Sequence, residues 1–368
     1  MAKRENGDGS IYFEKARNKY IAAIVTPDGR RLRRRFDDRN DARAWMTEIK
    51  AKIGTNEYVP PTDITVGEWI VEWLHTFKQD LRDKSKMQYM NTAQKLQPIA
   101  NIRLQDISSL TAQRFINSLP PSMAASSRKK VYQLLATTSK KAYRLGMINK
   151  DFMEAVEPPT VKQAEIEIFT ADEIRKIFYY LKSGVSSQFL KSLYPFFVLA
   201  ATTGARLGEL LALKWHDVDF DNATIHITAN LQYIPGKGIV INPPKTAAGL
   251  RYVTLPPSAV QTLKILKSRY IDIADSYVFH TKSGTPYEST NIRRYWKRLL
   301  AAAGVQYKNF HVLRHTHATQ LLAANVPILE VAKRLGHSRA SHTLNLYGHA
   351  IPNKDRDVAA KVSELYRI

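Results

Sequence analysis

The alternation of apolar and polar residues changes its period along this chain, and the first region has the period of two that is typical of β-strands. Three short strands are predicted, at Ser10–Glu14, Tyr20–Val25 and Leu32–Phe36. Pro27-Asp28-Gly29 supplies the turn between the last two strands. A helix capped by Asp38 and ending at Gly54 follows, so a three-stranded sheet backed by one helix is expected.

The second region, residues 64–156, has helical periodicity throughout. Thr65 followed by Glu68 is a capping box, and it starts an amphipathic helix that is expected to bury apolar residues as far as Phe77. Further helices are predicted at Lys84–Leu96, Thr111–Asn117 and Ala124–Arg144. The pattern therefore predicts an all-helical bundle.

The third region begins after a linker at residues 157–168, where Pro158-Pro159 interrupts both periods. Residues 169–368 are mainly helical, and Thr170 caps the first helix. A small set of strands is predicted inside this region, at Thr224–Thr228, Gly238–Ile241 and Tyr252–Leu255, with Lys245 in the loop of the last hairpin. The predicted fold class is α+β and multidomain.

The net charge adds a class of partner to this picture. Of 368 residues, 55 are Lys or Arg and 33 are Asp or Glu, which gives +22 at pH 7. Such an excess favours a polyanion, and nucleic acid above all. The candidate contact residues lie on the third strand, on the bundle and on a later helix: Arg30, Arg31, Arg33, Arg34, Arg35, Arg128, Lys129, Lys130, Lys140, Lys141, Arg293 and Arg294. Solvated charges on a strand edge or a helix face remain the alternative for each group.

Composition also excludes several classes of site. The chain contains no Cys, so disulfides, thiolate zinc sites and cysteine nucleophiles are ruled out. The N-terminus lacks an apolar segment, and the most apolar stretch, Leu193–Ala201, is too short to span a bilayer. An intracellular protein without a membrane partner is therefore expected.

The polar residues near the C-terminus suggest phosphate chemistry. His311 and Arg314 lie three residues apart and hence on one face of a helix, and Gly336 is the expected stop that releases His337 into a loop. Tyr347 follows ten residues later. A phenol near imidazoles and a guanidinium indicates an aromatic nucleophile acting on phosphate.

Two upstream features are ambiguous by themselves. Arg206 and Glu209 lie three apart at the head of a helix, where the arginine is either a phosphate ligand oriented by a carboxylate or part of an ordinary ion pair. Lys245 alone is most simply a solvent-exposed turn residue.

Together these motifs resemble the tyrosine recombinases of the phage and mobile-element integrase type. The matching segments are Thr203–Leu210 with Arg206, Lys245-Thr246, His311-Val312-Leu313-Arg314, Leu335-Gly336-His337 and Tyr347. Val312 stands where an acidic residue is frequent in that family, a departure that removes no group the chemistry needs. The resemblance extends to residues 64–156 as a SAM-like core-binding domain and, less specifically, to residues 1–55 as an arm-binding domain.

The resemblance implies a reaction in which Tyr347 attacks a DNA phosphorus, forms a 3′-phosphotyrosyl link and releases a 5′-hydroxyl. Arg206, His311, Arg314 and His337 would stabilise the phosphoryl oxygens. Lys245 would protonate the leaving oxygen, Glu209 would orient Arg206, and His311 is expected to help deprotonate Tyr347. No ATP, metal or other cofactor is required, and the further histidines, His315 and His317 among them, are interpreted as packing residues.

The implied partners are double-stranded DNA with core and arm-type sites, three further protomers in a tetramer, and accessory proteins that bend DNA or set direction. The location would be the cytoplasm of a bacterial host. The segment Pro352–Ile368 would dock on a neighbouring protomer or fold back. Two alternatives stay open: a DNA-binding or architectural protein whose chemistry is lost, and a DNA-relaxing enzyme similar to type IB topoisomerases.

Overall fold

The computed structural model describes residues 9–27, 29–55, 58–161, 166–183, 187–269, 275–348 and Leu365. Its contacts divide the chain into two compact units, Met1–Gln163 and Ala164–Ile368. This division falls inside the predicted linker. The first unit contains both the N-terminal sheet and the helical bundle, so their separation into two domains stays a prediction. The C-terminal segment Pro352–Ile368 lies outside the described residues except for Leu365.

The first unit begins with the predicted antiparallel sheet, formed by β1 (Ser10–Glu14), β2 (Lys19–Val25) and β3 (Arg31–Phe36) in that order. Helix α1 (Arg39–Gly54) packs on it and is capped by the side chain of Asp38, as expected. Only Ala42 of α1 is fully buried, because the small sheet covers one narrow stripe of the helix. The strand and helix predictions for this segment are confirmed.

The rest of this unit is the predicted helical bundle. Its elements are α2 (Val66–Phe77), α3 (Asp83–Ala93), α4 (Gln97–Ala100), α5 (Ser109–Ser118) and α6 (Ala125–Arg144). Thr65 and Glu68 form the capping box that starts α2, and Trp69 and Trp73 are buried in the core. Phe77 corrects the prediction: it is 40% exposed, at the end of the helix, and the ammonium of Lys141 lies over its ring at 4.2 Å.

The second unit is mainly helical. Its helices are α7 (Ala171–Lys182), α8 (Gln188–Ser192), α9 (Tyr194–Thr203), α10 (Leu207–Ala212), α11 (Pro257–Lys267), α12 (Ser289–Ala302), α13 (Val312–Ala323), α14 (Ile328–Leu335) and α15 (Ala340–Tyr347). Helix α9 is apolar on all sides and lies in the centre of the core, where Phe196 and Phe197 pack against the rings of Phe279, Trp296 and Phe310.

The strands of the second unit form two small sheets rather than the predicted hairpin. Strands β4 (Val218–Asp219), β5 (Thr224–Ile227) and β8 (Arg251–Thr254) form one antiparallel sheet, while β6 (Asn230–Ile234) pairs with β7 (Gly238–Asn242). The pattern missed β6, and it paired β7 with β8. Lys245 consequently lies in a loop that joins two sheets, because the strands before and after the loop, β7 and β8, are not hydrogen-bonded to each other.

Helices α13, α14 and α15 share a separate apolar cluster. Ala318, Leu322, Val331 and Leu335 are buried in it together with Tyr347. Gly336 ends α14 with a φ of 69°, the left-handed conformation expected of a glycine helix stop. This arrangement brings the C-terminal end of α15 against α13.

Candidate active site

The first part of the site is the turn between α9 and α10. Gly204 ends α9 with a φ of 63°, and a Cβ at this position would lie 2.7 Å from Cδ2 of His317. Arg206 then precedes α10, and its backbone amide donates to Oε2 of Glu209 at 2.9 Å. Its side chain donates from Nη1 to Oε1 of Glu209 at 2.8 Å and is 41% exposed. The turn therefore exposes the guanidinium of Arg206 to solvent, while the buried carboxylate of Glu209 holds it in place.

Glu209 has a second cationic partner, Arg251, that sequence reasoning missed. Nη2 of Arg251 donates to Oε2 of Glu209 at 2.9 Å, and both side chains are buried. Burial by itself raises the pKa of Glu209, but the hydrogen bond and charge of Arg251, together with Arg206, hold it below its usual value. A signal was present, since strand alternation places Arg251 on the same inward face as Val253.

Arg314 lies at the centre of the site and is 2% exposed. It donates from Nη1 to the carbonyl of Gly204 at 2.9 Å and from Nη2 to the carbonyl of Leu335 at 2.7 Å. Burial, followed by the charge of Arg206, lowers the pKa of Arg314 to about 9. A site with this accumulation of buried positive charge favours an anion such as a phosphate diester.

His337 follows the Gly336 turn and contacts Arg314. Its Nε2 lies 2.9 Å from Nη2 of Arg314 and its Nδ1 lies 2.7 Å from Oγ1 of Thr343. Since arginine can only donate, Nε2 accepts and the ring proton is assigned to Nδ1. Burial and then the charge of Arg314 lower the pKa of His337 to about 3, so the imidazole is neutral at physiological pH.

Tyr347 ends α15 and is 1% exposed. Its hydroxyl lies 2.6 Å from Nδ1 of His315. Burial raises the pKa of the Tyr347 phenol, and the charges of Arg314 and Arg206 oppose that rise. Burial also lowers the pKa of His315, which leaves Nδ1 as a neutral acceptor for the phenol proton.

The histidine in contact with Tyr347 differs from the one that the sequence suggested. His311 was expected to help deprotonate Tyr347, and His315 was interpreted as a packing residue. The hydroxyl contact belongs to His315, and the ring of His311 lies edge-on against His315 at 4.8 Å. The missed signal is the spacing of four residues between the two histidines, which places His311, immediately before α13, on the same side as His315 one turn later.

His311 nevertheless belongs to the cluster. It stands immediately before α13. Although the residue as a whole is exposed, lost hydration and then the charges of His315 and Arg314 lower its pKa to about 4.

His317 lies deeper: its Nδ1 donates to the carbonyl of Ala201 at 3.0 Å, and its Nε2 accepts from Arg334 at 3.1 Å. His317 is thus a packing residue, as interpreted from the sequence.

Lys245 is the predicted site residue that does not join the cluster. It is exposed in the loop between β7 and β8, and no described residue pairs with its ammonium. The structure therefore brings together Arg206, Glu209, Arg314, His337 and Tyr347, with His311 at the edge, and leaves Lys245 on a solvent-exposed loop.

The predicted DNA-contact residues lie on the surface in most cases. Arg30 and the strand residues Arg31, Arg33 and Arg35 are exposed, and Arg35 pairs with Glu14 at 2.9 Å. Arg34 points to the other side of the sheet, where its guanidinium lies over the ring of Phe36. The remaining candidates are exposed at Lys129, Lys130, Lys140, Arg293 and Arg294, and half-buried at Arg128 and Lys141.

The described part of the chain contains neither a metal-binding group nor a membrane-spanning helix. Within those residues, no three His, Asp or Glu side chains converge as a metal-binding group. None of the helices found there has the length and apolar character needed to cross a bilayer.

The geometry defines a class of protein: a buried phenol, held by an imidazole, beside clustered guanidinium groups is suited to covalent phosphoryl transfer. Comparison with known proteins agrees. Residues 167–354 match the Phage integrase family, and residues 65–119 match the phage integrase N-terminal SAM-like domain. The chain belongs to the phage integrase family, the tyrosine recombinases, which are site-specific DNA-recombining enzymes.

Individual relatives and solved structures extend this assignment over the chain. A XerC-like tyrosine recombinase of Caldanaerobacter subterraneus is 30% identical, with 100% of both chains covered. The integrase of Mycobacterium phage D29 is 23% identical over 99% of each. The fold resembles the Tn1549 transposon integrase in complex with a circular intermediate DNA, at a TM-score of 0.70 and 17% identity over 82% of this chain and 99% of the other. It also resembles a lambda integrase tetramer bound to a Holliday junction, at a TM-score of 0.57 and 19% identity over 93% and 96% of the chains.

Proposed function

We propose that this chain cuts and rejoins double-stranded DNA at specific sites through a 3′-phosphotyrosyl intermediate on Tyr347. The observation that carries the proposal is the 2.6 Å contact between the Tyr347 hydroxyl and Nδ1 of His315, beside the guanidinium groups of Arg206 and Arg314. Any buried tyrosine needs a hydrogen-bond partner, but the partner here is an imidazole that can take up the phenol proton, and the charges of Arg314 and Arg206 act on the phenol to lower its pKa.

The cleavage step exchanges one phosphodiester for another. Tyr347 Oη forms a bond to the scissile phosphorus as the phenol proton passes to Nδ1 of His315, and the bond from phosphorus to the 5′-oxygen breaks. The departing 5′-oxygen receives a proton from Lys245, whose exposed loop would reach the site once DNA is bound. Rejoining reverses these transfers, so no energy source or cofactor is consumed.

Charge on the non-bridging oxygens is stabilised by Arg206 and Arg314, with His311 as a further donor. His337 is neutral and accepts from Arg314 in the unbound site, so its first role is to hold that guanidinium in place. On DNA binding, His337 becomes a fourth phosphate contact if the phosphate takes over the Arg314 hydrogen bond and the ring proton moves to Nε2, with the Thr343 hydroxyl then donating to Nδ1.

The remaining parts of the chain are assigned by resemblance to its relatives. Residues 64–156 bind the core site, residues 1–55 bind arm-type sites, and residues 157–168 link them to the catalytic domain at 169–368. The solved DNA complexes of the Tn1549 and lambda integrases support a DNA partner, and the lambda tetramer supports four protomers in the exchange. We place the reaction in the cytoplasm of a bacterial host, where accessory proteins would direct integration and excision of a phage or mobile element.

The test is covalent trapping. Wild-type chain, Tyr347→Phe and the control Tyr252→Phe, which alters an exposed tyrosine on β8, are incubated with fragmented DNA in EDTA, denatured, and assayed for protein-linked DNA. Wild type and Tyr252→Phe should form the adduct and Tyr347→Phe should bind DNA without forming it. Sequencing the trapped DNA then identifies the recognition site.

Each other outcome favours a different function. An adduct in Tyr347→Phe would reject the nucleophile, and strict dependence on a divalent ion would reject metal-independent cleavage. DNA binding without any adduct in wild type would favour the architectural protein. Adducts spread over unrelated sequences, together with plasmid relaxation, would favour the topoisomerase-like activity.

A further inference from the structure

Arg251 is a buried arginine next to the proposed active site, although its guanidinium does not face solvent as that of Arg206 does. It begins strand β8, is 8% exposed, and uses its side chain for four hydrogen bonds. Two of them go to the carboxylate of Glu209, at 2.9 Å to Oε2 and 3.4 Å to Oε1. The others go to the carbonyls of Gly249, at 3.1 Å, and Arg334, at 2.8 Å.

The hydrogen bonds of Glu209 are shared between two arginines. Each carboxylate oxygen accepts once from Arg206 and once from Arg251. Two oxygens of a carboxylate offer about four acceptor positions, so Glu209 is saturated. Arg206 therefore binds Glu209 through one guanidinium nitrogen, Nη1, and the other nitrogens of its exposed guanidinium stay available for a phosphate.

Removing Arg251 would disturb that division. A buried carboxylate that loses its partner is costly to leave unpaired, and Arg206 is the adjacent cation that can move because its side chain is exposed. A guanidinium and a carboxylate pair best through two parallel hydrogen bonds. Arg206 would then bind Glu209 through two guanidinium nitrogens and turn away from the substrate.

The other two contacts of Arg251 connect the segments that carry Lys245 and His337. Gly249 closes the loop of Lys245, and Arg334 lies two residues before Gly336. A Cβ on Gly336 would meet Nη1 of Arg251 and the carbonyl of Ala248, each at 2.9 Å, so loop and turn pack directly together at this arginine.

We propose that Arg251 is a positioning residue for DNA cleavage: it occupies the Glu209 acceptor positions that Arg206 must not take, and it fixes the base of the Lys245 loop against the His337 turn. The proposal rests on the proposed function for its consequence in catalysis. Its structural part, the anchoring of the loop, is independent of that function.

The experiment compares Arg251→Gln and Arg251→Lys with wild type on a nicked duplex carrying the trapped recognition sequence. At saturating DNA the cleavage rate constant of Arg251→Gln should fall by about 10- to 100-fold, as for other residues that orient a functional group. DNA affinity should change by less than about threefold, since the phosphate contacts themselves remain. Arg251→Lys, which keeps the charge but cannot hold both oxygens, should be intermediate.

Three further measurements separate positioning from general loss of structure. Arg175→Gln, which removes a guanidinium paired with Asp172 on an exposed turn of α7, should cleave like wild type. In a Glu209→Gln background, Arg251→Gln should cause a smaller loss than in the wild-type background, because the charge it balances is gone and only its anchoring of the loop is removed. Hydrogen exchange at residues 246–250 should be at least about tenfold faster in Arg251→Gln, with residues 196–199 in the core of α9 unchanged.

The results that overturn the proposal are distinct from those that reject the function. Wild-type cleavage by a folded Arg251→Gln overturns it, and if that variant does not fold, wild-type cleavage by Arg251→Lys does so. Wild-type exchange at residues 246–250 in either folded variant overturns it whether or not the chain cleaves DNA. A wild-type chain that forms no adduct, with altered exchange in the variants, rejects the proposed function and leaves Arg251 as the anchor of the loop.

Discussion

The hydrogen bonds of single residues set the chemistry of this site, because they decide which polar groups are held in place and which stay available for a substrate. His315 illustrates the point, because its position on α13 gives the buried Tyr347 hydroxyl an acceptor that the apolar cluster around it does not provide. A buried hydroxyl without a partner costs about 1–3 kcal/mol, so this contact also stabilises the docked position of α15.

We expect His315→Gln to reduce the rate of adduct formation by about 10²-fold or more, the usual contribution of a positioned proton acceptor. Glutamine offers a hydrogen-bond acceptor of similar reach but cannot take up a proton. Single-turnover cleavage at saturating DNA measures the effect, and His226→Gln on strand β5 is the matched control. An unchanged rate in His315→Gln would show that the phenol proton leaves by another route.

Gly204 is the second residue whose identity is dictated locally. Its positive φ disfavours other residues, and a Cβ would collide with His317 and come within 3.0 Å of Leu335. We expect Gly204→Ala to lower the free energy of unfolding by about 2–4 kcal/mol, from backbone strain plus steric overlap. Gly236→Ala is the matched control, since its φ is 79° with no atom within 4 Å, and it should lose only about 1 kcal/mol.

Chemical denaturation of both glycine variants separates strain from collision. Equal losses would mean that the neighbours of Gly204 move aside without cost. Because Arg314 donates to the Gly204 carbonyl, the alanine variant should also cleave more slowly when it is folded.

At the scale of elements, β3 shows how strand register divides one run of arginines between two faces. Arg33 and Arg35 stand opposite Ala23 and Ile21 and share their face, whereas Arg34 stands opposite Ala22 on the face of α1. Arginine stems can cover apolar residues while the charged heads stay in water. The outer face is therefore the one suited to phosphate contacts.

The register predicts which arginines bind DNA. We expect Arg31→Gln combined with Arg33→Gln to reduce the slope of log affinity against log salt concentration by about 2, since each phosphate that is no longer neutralised lowers it by about one. Arg34→Gln, on the other face, should leave that slope unchanged. Fluorescence anisotropy with arm-type DNA at several salt concentrations measures it, and core-site cleavage should be unaffected. Equal slopes in all variants would remove this face from the DNA interface.

Among the helices and strands, α15 is the one whose position the sequence predicted least well. The sequence predicts Tyr347 as an aromatic nucleophile, and the structure has it buried with Thr343 on the inward side of α15. Tyr347, the proposed nucleophile, is 1% exposed, so it has to reach the phosphate through a displacement of this helix.

At the scale of the whole molecule, positive charge dominates. The chain carries +22, and the second unit keeps several histidines neutral inside it. Burial lowers the pKa of His317 to about 4, with the charge of Arg334 acting in the same direction, and His337 is lowered to about 3. Their folded-state pKa values lie below the ordinary 6.5, so the unfolded chain takes up protons first as the pH falls.

We therefore expect the second unit to have its full stability above about pH 6.5 and to lose stability progressively as the pH falls from there toward 4, where His317 also titrates. Thermal unfolding between pH 7.5 and 4.5 measures the loss. His317→Gln should be less stable at pH 7.5 and should show a weaker dependence on pH. A melting temperature that stays constant over this range would mean that the histidines take up protons at the same pH in the folded chain as in the unfolded chain.

The sequence by itself determined the strands of the N-terminal sheet, the capping boxes at Thr65 and Thr170, the order of the helices and the family motifs. These features depend on near neighbours in the chain, and periodicity and capping are read over a few residues. The match to the phage integrase family rests on the same local motifs.

Only the tertiary structure decided which strands pair and which residues support the site. Strand β6 takes β7 as its partner, so the loop of Lys245 joins two sheets, and Arg251 reaches Glu209 over 42 positions of sequence. His315 meets Tyr347 across 32 positions. Such contacts depend on how separate elements pack, so no local sequence pattern encodes them. The same buried arginine or histidine is compatible with many partners until the core brings one of them within hydrogen-bond distance.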